Sequence, residues 1–284
     1  MRVAVTGADG FTGRFVKTAL RDRGIDCIAW SADLTDSDAV EQEVCATEFD
    51  HVIHLAAKAF TDTANWEEFY HVNQIGTFRL LDAVAKHRPG ARCLLASSAQ
   101  VYGSGASGLI EESSNINPVN HYAVSKFAME QGAALWGEKL ELVITRPFNY
   151  TGLGQSTEYL LPKIVDHFCR GAPVIELGNT WVQRDFGDVR AVAEAYAGLI
   201  SAERVIATVN IATGRVWAIN EVLRILADLA GYEIEVKVNP AFVRSNDVPV
   251  LGGNISRLRE NLPDWRPRDL ADTLEWMYLE TRIC

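Results

Sequence analysis

Residues 2–24 read RVAVTGADGFTGRFVKTALRDRG. The first five residues form a short valine-rich run, the pattern of a strand covered on both faces. Glycines follow at 7, 10 and 13, and from Phe11 the apolar residues recur at helical spacing until Gly24 stops them. A strand, a glycine turn and an amphipathic helix in direct succession make the first half of a βαβ unit. The sequence on either side of this unit has to agree with it.

It does so through residue 145. IDCIAW is a second strand, SADLTD a loop, and Asp36 the cap of a helix SDAVEQEV. HVIHLAA is a third strand, Trp66 to His87 a long helical stretch, and Arg92 to Ser97 a fourth strand. GSGASG at 103–108 marks a surface loop, Tyr122 to Glu138 a helix, and Leu140 to Thr145 a fifth strand. Strands separated by helix-length segments predict an α/β fold, a Rossmann-type doubly wound parallel sheet with right-handed crossovers. After Arg146-Pro147 the elements shorten. Asn149–Gln155 is a loop, Glu158–Arg170 and Val189–Ala202 are helices, and Thr208–Ile211 is a strand returning to the sheet. Trp217–Ala230 is a helix, Glu233–Val238 a strand, Pro240–Gly253 a loop and Leu270–Leu279 a last helix. The expected layout is a dinucleotide-binding domain over 1–150, to which about 179–212 return, and a smaller C-terminal α/β substrate-binding lobe over 151–284.

Composition narrows the function classes. Of 284 residues, 48% are hydrophobic and 23% charged, which excludes a disordered chain. A net charge of -10 argues against nucleic acid and anionic membranes as partners. No apolar run approaches the about 20 residues needed to cross a bilayer, and MRVAVTGADG has no signal-like segment. The cytoplasm is therefore the expected compartment. Cys27, Cys45, Cys93, Cys169 and Cys284 are scattered and odd in number, so neither a zinc site nor a disulfide frame is expected. His54, His71 and His121 form no H-x-x-x-H pair and are expected to be packing or surface residues, with no metal.

Two patterns carry chemistry. Gly7-x-x-Gly10-x-x-Gly13 opens a helix directly after a strand, so backbone N–H groups and the helix dipole can meet a pyrophosphate. Dinucleotide sites often place an acid at the end of the second strand for the ribose diol, but here Ala29-Trp30-Ser31-Ala32 has none, and Asp33 comes late enough to lie beside the adenine. The missing acid admits a 2′-phosphate, with which Arg14 could pair, so NADP(H) is expected ahead of NAD(H). In Tyr122-Ala-Val-Ser-Lys126 the phenol and ammonium share a helix face. The lysine is expected to pull the phenol down from its usual value of about 10 and make it a general acid/base. The fourth strand ends in Leu95-Ala-Ser97-Ser98, which puts a hydroxyl at the carboxyl edge of the sheet.

Together these motifs resemble the extended short-chain dehydrogenase/reductases, the nucleotide-sugar epimerase, dehydratase and reductase family, over nearly the whole chain. The resemblance is carried by TGADGFTG at 6–13, HLAA at 54–57, VNQIGT at 72–77, SSAQVYG at 97–103, HYAVSK at 121–126, RPFNYTGLGQ at 146–155 and QRDFGDV at 183–189. It implies Ser98, Tyr122 and Lys126 as the catalytic set, with Ser97 the rival for the serine role. It places NAD or NADP against Gly7, Asp9, Gly10, Phe11, Thr12, Gly13 and Arg14, against Asp33 and Leu34, and against Leu55, Ala56 and Ala57. Pro147 and Lys126 complete the coenzyme contacts, with Asn73 supporting the lysine through water. The nucleotide-diphosphate sugar would meet Ser98, Gln100, Asn149, Arg184, Arg244 and Asp247, where arginine forks suit a diphosphate. A homodimer through the helices at 66–87 and 121–138 is also implied.

Within that family, 4,6-dehydratases need an acid and a base just after the catalytic hydroxyl. Those positions are Ala99 and Gln100, neither of which titrates, so dehydration is disfavoured. A reductase of a nucleotide-linked 4-keto-6-deoxyhexose is expected, its RPFNYTGLGQ, QRDFGDV and RSNDVPVLGGN segments resembling those of GDP-4-keto-6-deoxy-D-mannose reductases that form GDP-D-rhamnose. The alternatives are an NAD-dependent nucleotide-sugar 4-epimerase and a non-catalytic dinucleotide-binding regulator.

Overall fold

The computed structural model describes residues 1–58, 65–206, 208–242 and 248–283. β1 (Arg2–Thr6), α1 (Phe11–Asp22), β2 (Asp26–Trp30), α2 (Ser37–Ala46) and β3 (His51–His54) follow one another. Next come α3 (Thr77–His87), β4 (Arg92–Ala96), β5 (Gly108–Ile110), α4 (His121–Ala133), β6 (Glu141–Pro147) and β7 (Asn149–Thr151). The chain continues through α5 (Leu160–Cys169), β8 (Val174–Leu177), β9 (Gln183–Arg184), β10 (Phe186–Asp188), α6 (Val189–Ser201) and β11 (Thr208–Ile211). It ends with β12 (Trp217–Ala218), α7 (Ile219–Ala230), β13 (Glu235–Val238), β14 (Val250–Gly253), α8 (Ser256–Asn261) and α9 (Leu270–Ile283).

Six strands form one parallel sheet in the order β11-β6-β4-β3-β1-β2. Successive side chains of a strand alternate between its faces, and both faces here are apolar. Val3, Val5, Ile53 and Leu94 join Val16 and Leu20 of α1 and Leu199 of α6 in one buried layer. Ala4, Val52, Cys93 and Leu95 join Leu80 and Val84 of α3 and Met129 of α4 in the other. Full burial of side chains of this size stabilises the fold by about 1.5–3 kcal/mol each. The strand order reverses between β1 and β3, so the crevice for a ligand lies above their carboxyl ends. A third apolar cluster, with Leu161, Phe168, Ile175, Val222, Leu226 and Leu274, binds α5, α7 and α9 together.

Several elements differ from the sequence pattern. The helix read from Trp66 to His87 contains a π-helical stretch at Phe69–Gly76, whose wider turn carries Asn73 into the protein. The helix read to Glu138 gives way at Ala133 to a 3₁₀ turn, Ala134–Trp136. The segments read as loops at 149–155 and 240–253 contain β7, which pairs with β10, and β14, which pairs with β5 and β9. No helix among the described residues is long and apolar enough to cross a membrane.

Asp185 ties these late strands to the sheet. Its buried carboxylate accepts from Thr213 N (2.9 Å), Thr213 Oγ1 (2.8 Å), Gly214 N (3.1 Å) and Gly253 N (3.4 Å). Burial nevertheless raises its pKa to about 6.

Candidate active site

The glycine turn forms a close-fitting cradle. Gly7 has φ +67°, which only glycine adopts without strain, and a Cβ there would lie 2.9 Å from Ala56 N. A Cβ on Gly13 would fall 2.2 Å from Gly7 O. No side chain caps α1 at Gly10, so the amides of Phe11, Thr12 and Gly13 face the crevice with the helix dipole behind them. These groups suit a dinucleotide pyrophosphate.

A chain of buried polar groups holds the cradle from beneath. Thr6 Oγ1 accepts from Leu55 N and Ala56 N, both at 3.2 Å, and lies 2.7 Å from His54 Nδ1. His54 Nε2 lies 2.9 Å from Thr77 Oγ1, which itself donates to Asn73 O at 2.7 Å. Following the donors fixes the imidazole as the neutral Nε2–H tautomer, with Thr6 donating to Nδ1. Burial, and secondarily the charge of Lys126, push His54 down to about 3. The histidine is thus a packing residue with a defined bridging role.

Asn120 starts α4 by accepting from Ala123 N at 2.8 Å. One turn in, Tyr122 and Lys126 lie on the same face, only 8% and 4% exposed. Tyr122 meets Phe69 edge-to-face at 5.9 Å and is hydrogen-bonded with Ser98. Ser98 stands just beyond β4, its Oγ accepting from Gln100 N at 3.1 Å. Ser97 points elsewhere, donating to the buried Glu130 carboxylate. The two serines therefore have separate partners, with Ser98 the one on the tyrosine.

The expected fall in the Tyr122 pKa is corrected by the structure. Lys126 Nζ is anchored on Ala96 O at 2.7 Å. Loss of water around the phenol pushes its pKa well up, and the bond with Ser98 opposes this only in part. The same desolvation lowers the Lys126 ammonium to about 8, against the pull of Glu130.

Asn73 reaches the residue before the lysine. Its Nδ2 donates to Ser125 Oγ (3.1 Å) and Lys58 O (3.1 Å), and its Oδ1 accepts from Lys58 N (2.8 Å). Ser125 Oγ in turn donates to Tyr122 O at 2.8 Å. Asn73 therefore fixes the backbone of the Tyr–Lys turn.

Other expected residues are placed as follows. Asp33 accepts from Thr35 N and Thr35 Oγ1 (2.8 and 2.7 Å), and Leu34 is buried beneath it. Asp9 pairs with Lys17 at 2.8 Å. Leu55, Ala56 and Ala57 run on from β3, and Pro147 closes β6 opposite Ile211. Arg14 Nη2 is turned toward Gly154 O, 3.4 Å away. Gln100 Oε1 accepts from Asn120 Nδ2 at 3.1 Å. Asn149 opens β7, and Arg184 Nη1 donates to Gln183 O and Val248 O at 2.8 and 2.7 Å. Arg244 and Asp247 lie outside the described residues. His71 and His121 are exposed, His121 Nδ1 lying 2.9 Å from Tyr70 OH. No group of three or more His, Cys, Asp or Glu able to hold a metal occurs among the described residues.

Two residues escaped the sequence pattern. Tyr150 stacks on Phe11 (6.2 Å, 9°), with its hydroxyl 2.8 Å from Thr12 Oγ1 at the cradle. It lies in the segment read as a loop, where only its place in RPFNYTGLGQ at 146–155 marks it. Glu43 stands on α2 against the carboxyl end of β2 and had no local signal.

Residues 3–212 match the NAD-dependent epimerase/dehydratase family model. The GDP-6-deoxy-D-talose 4-dehydrogenase of Aggregatibacter actinomycetemcomitans is 34% identical, over 98% of this chain and 97% of its own. The GDP-6-deoxy-D-mannose reductase of Pseudomonas aeruginosa is 31% identical, over 94% and 92%. The solved structure of RMD from Pseudomonas aeruginosa complexed with NADPH superposes with a TM-score of 0.90 at 28% identity, over 99% of both chains.

Proposed function

Because the chain belongs to the NAD-dependent epimerase/dehydratase family, we propose that it reduces the C4 ketone of a GDP-linked 4-keto-6-deoxyhexose with NAD(P)H, specifically GDP-4-keto-6-deoxy-D-mannose to GDP-D-rhamnose. The observation that carries this is the meeting of Ser98, Tyr122 and Lys126 beside the glycine cradle, at the carboxyl edge of the sheet. A bound reduced nicotinamide supplies the hydride, so the chain has to supply a proton and stabilise charge on oxygen. Tyr122 remains a phenol at working pH and holds that proton. Ser98 offers a second hydrogen bond to the same oxygen. Lys126, one turn along α4 from Tyr122 with its Nζ held on Ala96 O, orients the nicotinamide ribose in this assignment.

The relatives support chemistry at C4, since 6-deoxytalose and 6-deoxymannose are C4 epimers and one ketone stands between them. Asn149, Arg184, Arg244 and Asp247 are assigned to the nucleoside diphosphate. Residues 1–150, with 179–212, form the coenzyme unit in this assignment, and the rest of 151–284 the substrate lobe. We place the enzyme in the cytoplasm as a homodimer through the helices at 66–87 and 121–138, which expose Ile75 (38%) and Leu135 (84%). Leu135→Glu is expected to shift the molar mass measured by light scattering from dimer to monomer.

The deciding experiment incubates the protein with NADH or NADPH and GDP-, dTDP- or UDP-linked 4-keto-6-deoxy sugars while following the reduced-nicotinamide absorbance. Oxidation of coenzyme with the GDP sugar is expected, and NMR of the product at C4 separates rhamnose from talose. Conversion of a 4-hydroxy nucleotide sugar without net coenzyme turnover would establish the epimerase instead.

A further inference from the structure

The sequence around β2 lacks the acid that usually meets the adenosine ribose, but the fold brings one in from α2. Glu43 Oε1 accepts from Ser31 N at 3.0 Å, and its Oε2 accepts from Ala32 N at 2.8 Å. These are the first two amides beyond β2. β2 runs parallel to β1 with Trp30 opposite Thr6, so Ser31 leaves the sheet at the same carboxyl edge as Gly7, where the cradle begins. In doubly wound sheets the ribose hydroxyls are met at this corner. Each carboxylate oxygen keeps a further lone pair after accepting from its amide.

Three cations of α1 and α3, among the described residues, have partners of their own. Lys17 pairs with Asp9 at 2.8 Å. Arg79 Nη1 donates to Leu34 O (3.2 Å) and Thr35 O (2.5 Å), clamping the loop after β2. Arg14 faces Gly154 across the crevice. Asp33 adds another negative charge, its carboxyl held below the usual range by the Thr35 N–H.

We infer that Glu43 sets coenzyme specificity, selecting NAD(H) against NADP(H), because its fixed carboxylate can accept from a ribose hydroxyl but repels a 2′-phosphate. Resting on the coenzyme site assigned above, this deepens it and reverses the preference suggested by the missing acid and Arg14. The class of ligand discriminated is the adenosine ribose with or without a 2′-phosphate.

The test is calorimetric titration of the whole protein with ADP-ribose and 2′-phospho-ADP-ribose, which needs no turnover. ADP-ribose is expected to bind tighter by about tenfold or more. Glu43→Gln and Glu43→Ala should each shrink that ratio by about tenfold, mainly by strengthening the phosphorylated ligand. Tighter binding of the 2′-phospho ligand by the unaltered protein would overturn the inference. So would a ratio unchanged in both variants, or equal weakening of both ligands, which would make Glu43 a loop clamp only. Failure to reduce any keto sugar, with the ligand ratio intact, would instead count against the reductase alone.

Discussion

Tyr122 and Lys126 are driven in opposite directions by the same loss of water. A neutral phenol is easier to bury than a phenolate, so the proton stays on Tyr122. An ammonium is harder to bury than an amine, so Lys126 titrates near 8. For ketone reduction this leaves a protonated donor on the same helix face as a cation that disappears in mild alkali. Tyr122→Phe should lower kcat by about 10²–10⁴-fold while ADP-ribose still binds, as read by turnover and calorimetry. Near-normal turnover in that variant would remove the tyrosine from the chemistry. The pH dependence follows from the lysine: kcat for reduction should be level below about 8 and fall above it. The fall should approach about tenfold per pH unit as the ammonium is lost. A rate rising through that range would show that the lysine charge is not needed.

Between α4 and β6 the decisive contact is a buried ion pair. Arg146 Nη2 donates to Glu130 Oε2 at 2.6 Å, and its Nε to Oε1 at 3.0 Å. Arg146 Nη1 also donates to Tyr102 OH at 3.1 Å, and that hydroxyl donates to Asn210 Oδ1 at 2.7 Å. The network locks α4, and with it the Tyr–Lys turn, to β6 and to β11. Glu130→Gln leaves a buried guanidinium without its carboxylate and should cost about 3–5 kcal/mol in urea unfolding. Adding Arg146→Met should recover part of that loss, because the uncompensated charge is gone. Additive losses would mean that the two side chains act independently. Neither partner announces the pair in the sequence, since β6 meets α4 only in the folded chain. The same reason divides the elements that were legible from those that were not. β1, α1 and the next βαβ units are long enough for periodicity to show. β7, β9 and β14 are short pairings whose partners lie far along the chain. Val250–Gly253 reads as a loop because of its glycines, yet a Cβ on Gly253 would lie 2.4 Å from Ala212 Cβ, so close packing is what requires glycine there. The glycine cradle and the Tyr–Lys turn were legible as local motifs. Glu43 was not, because it arrives from α2, twelve residues beyond Ser31 in the chain.

Across the whole molecule two buried groups give stability opposite dependences on acid. His54 is neutral in the folded chain down to about 3, whereas an unfolded histidine takes up a proton below about 6.5. Unfolded chains therefore bind more protons than folded ones over that interval, and stability drains away as pH falls through it. The full interval corresponds to about 5 kcal/mol. Asp185 works the other way, since its folded pKa of about 6 lies above the unfolded value near 3.8. Its contribution, about 3 kcal/mol at most, is complete below the unfolded value and disappears as pH rises through about 6. Between roughly pH 4 and 6 the two partly cancel, so the native protein should lose stability only gently on acidification there. Asp185→Asn removes the opposing group, and its unfolding free energy should fall more steeply with acid over that range. His54→Asn should flatten the decline, even though losing a bridge between Thr6 and Thr77 lowers stability at neutral pH. Denaturant unfolding at half-unit steps from pH 7 to 4 reads the slopes separately from the levels. Parallel curves for all three proteins would show that neither group couples folding to protons. The histidine under the coenzyme cradle and the aspartate binding β14 to the sheet would then serve only as hydrogen-bond partners.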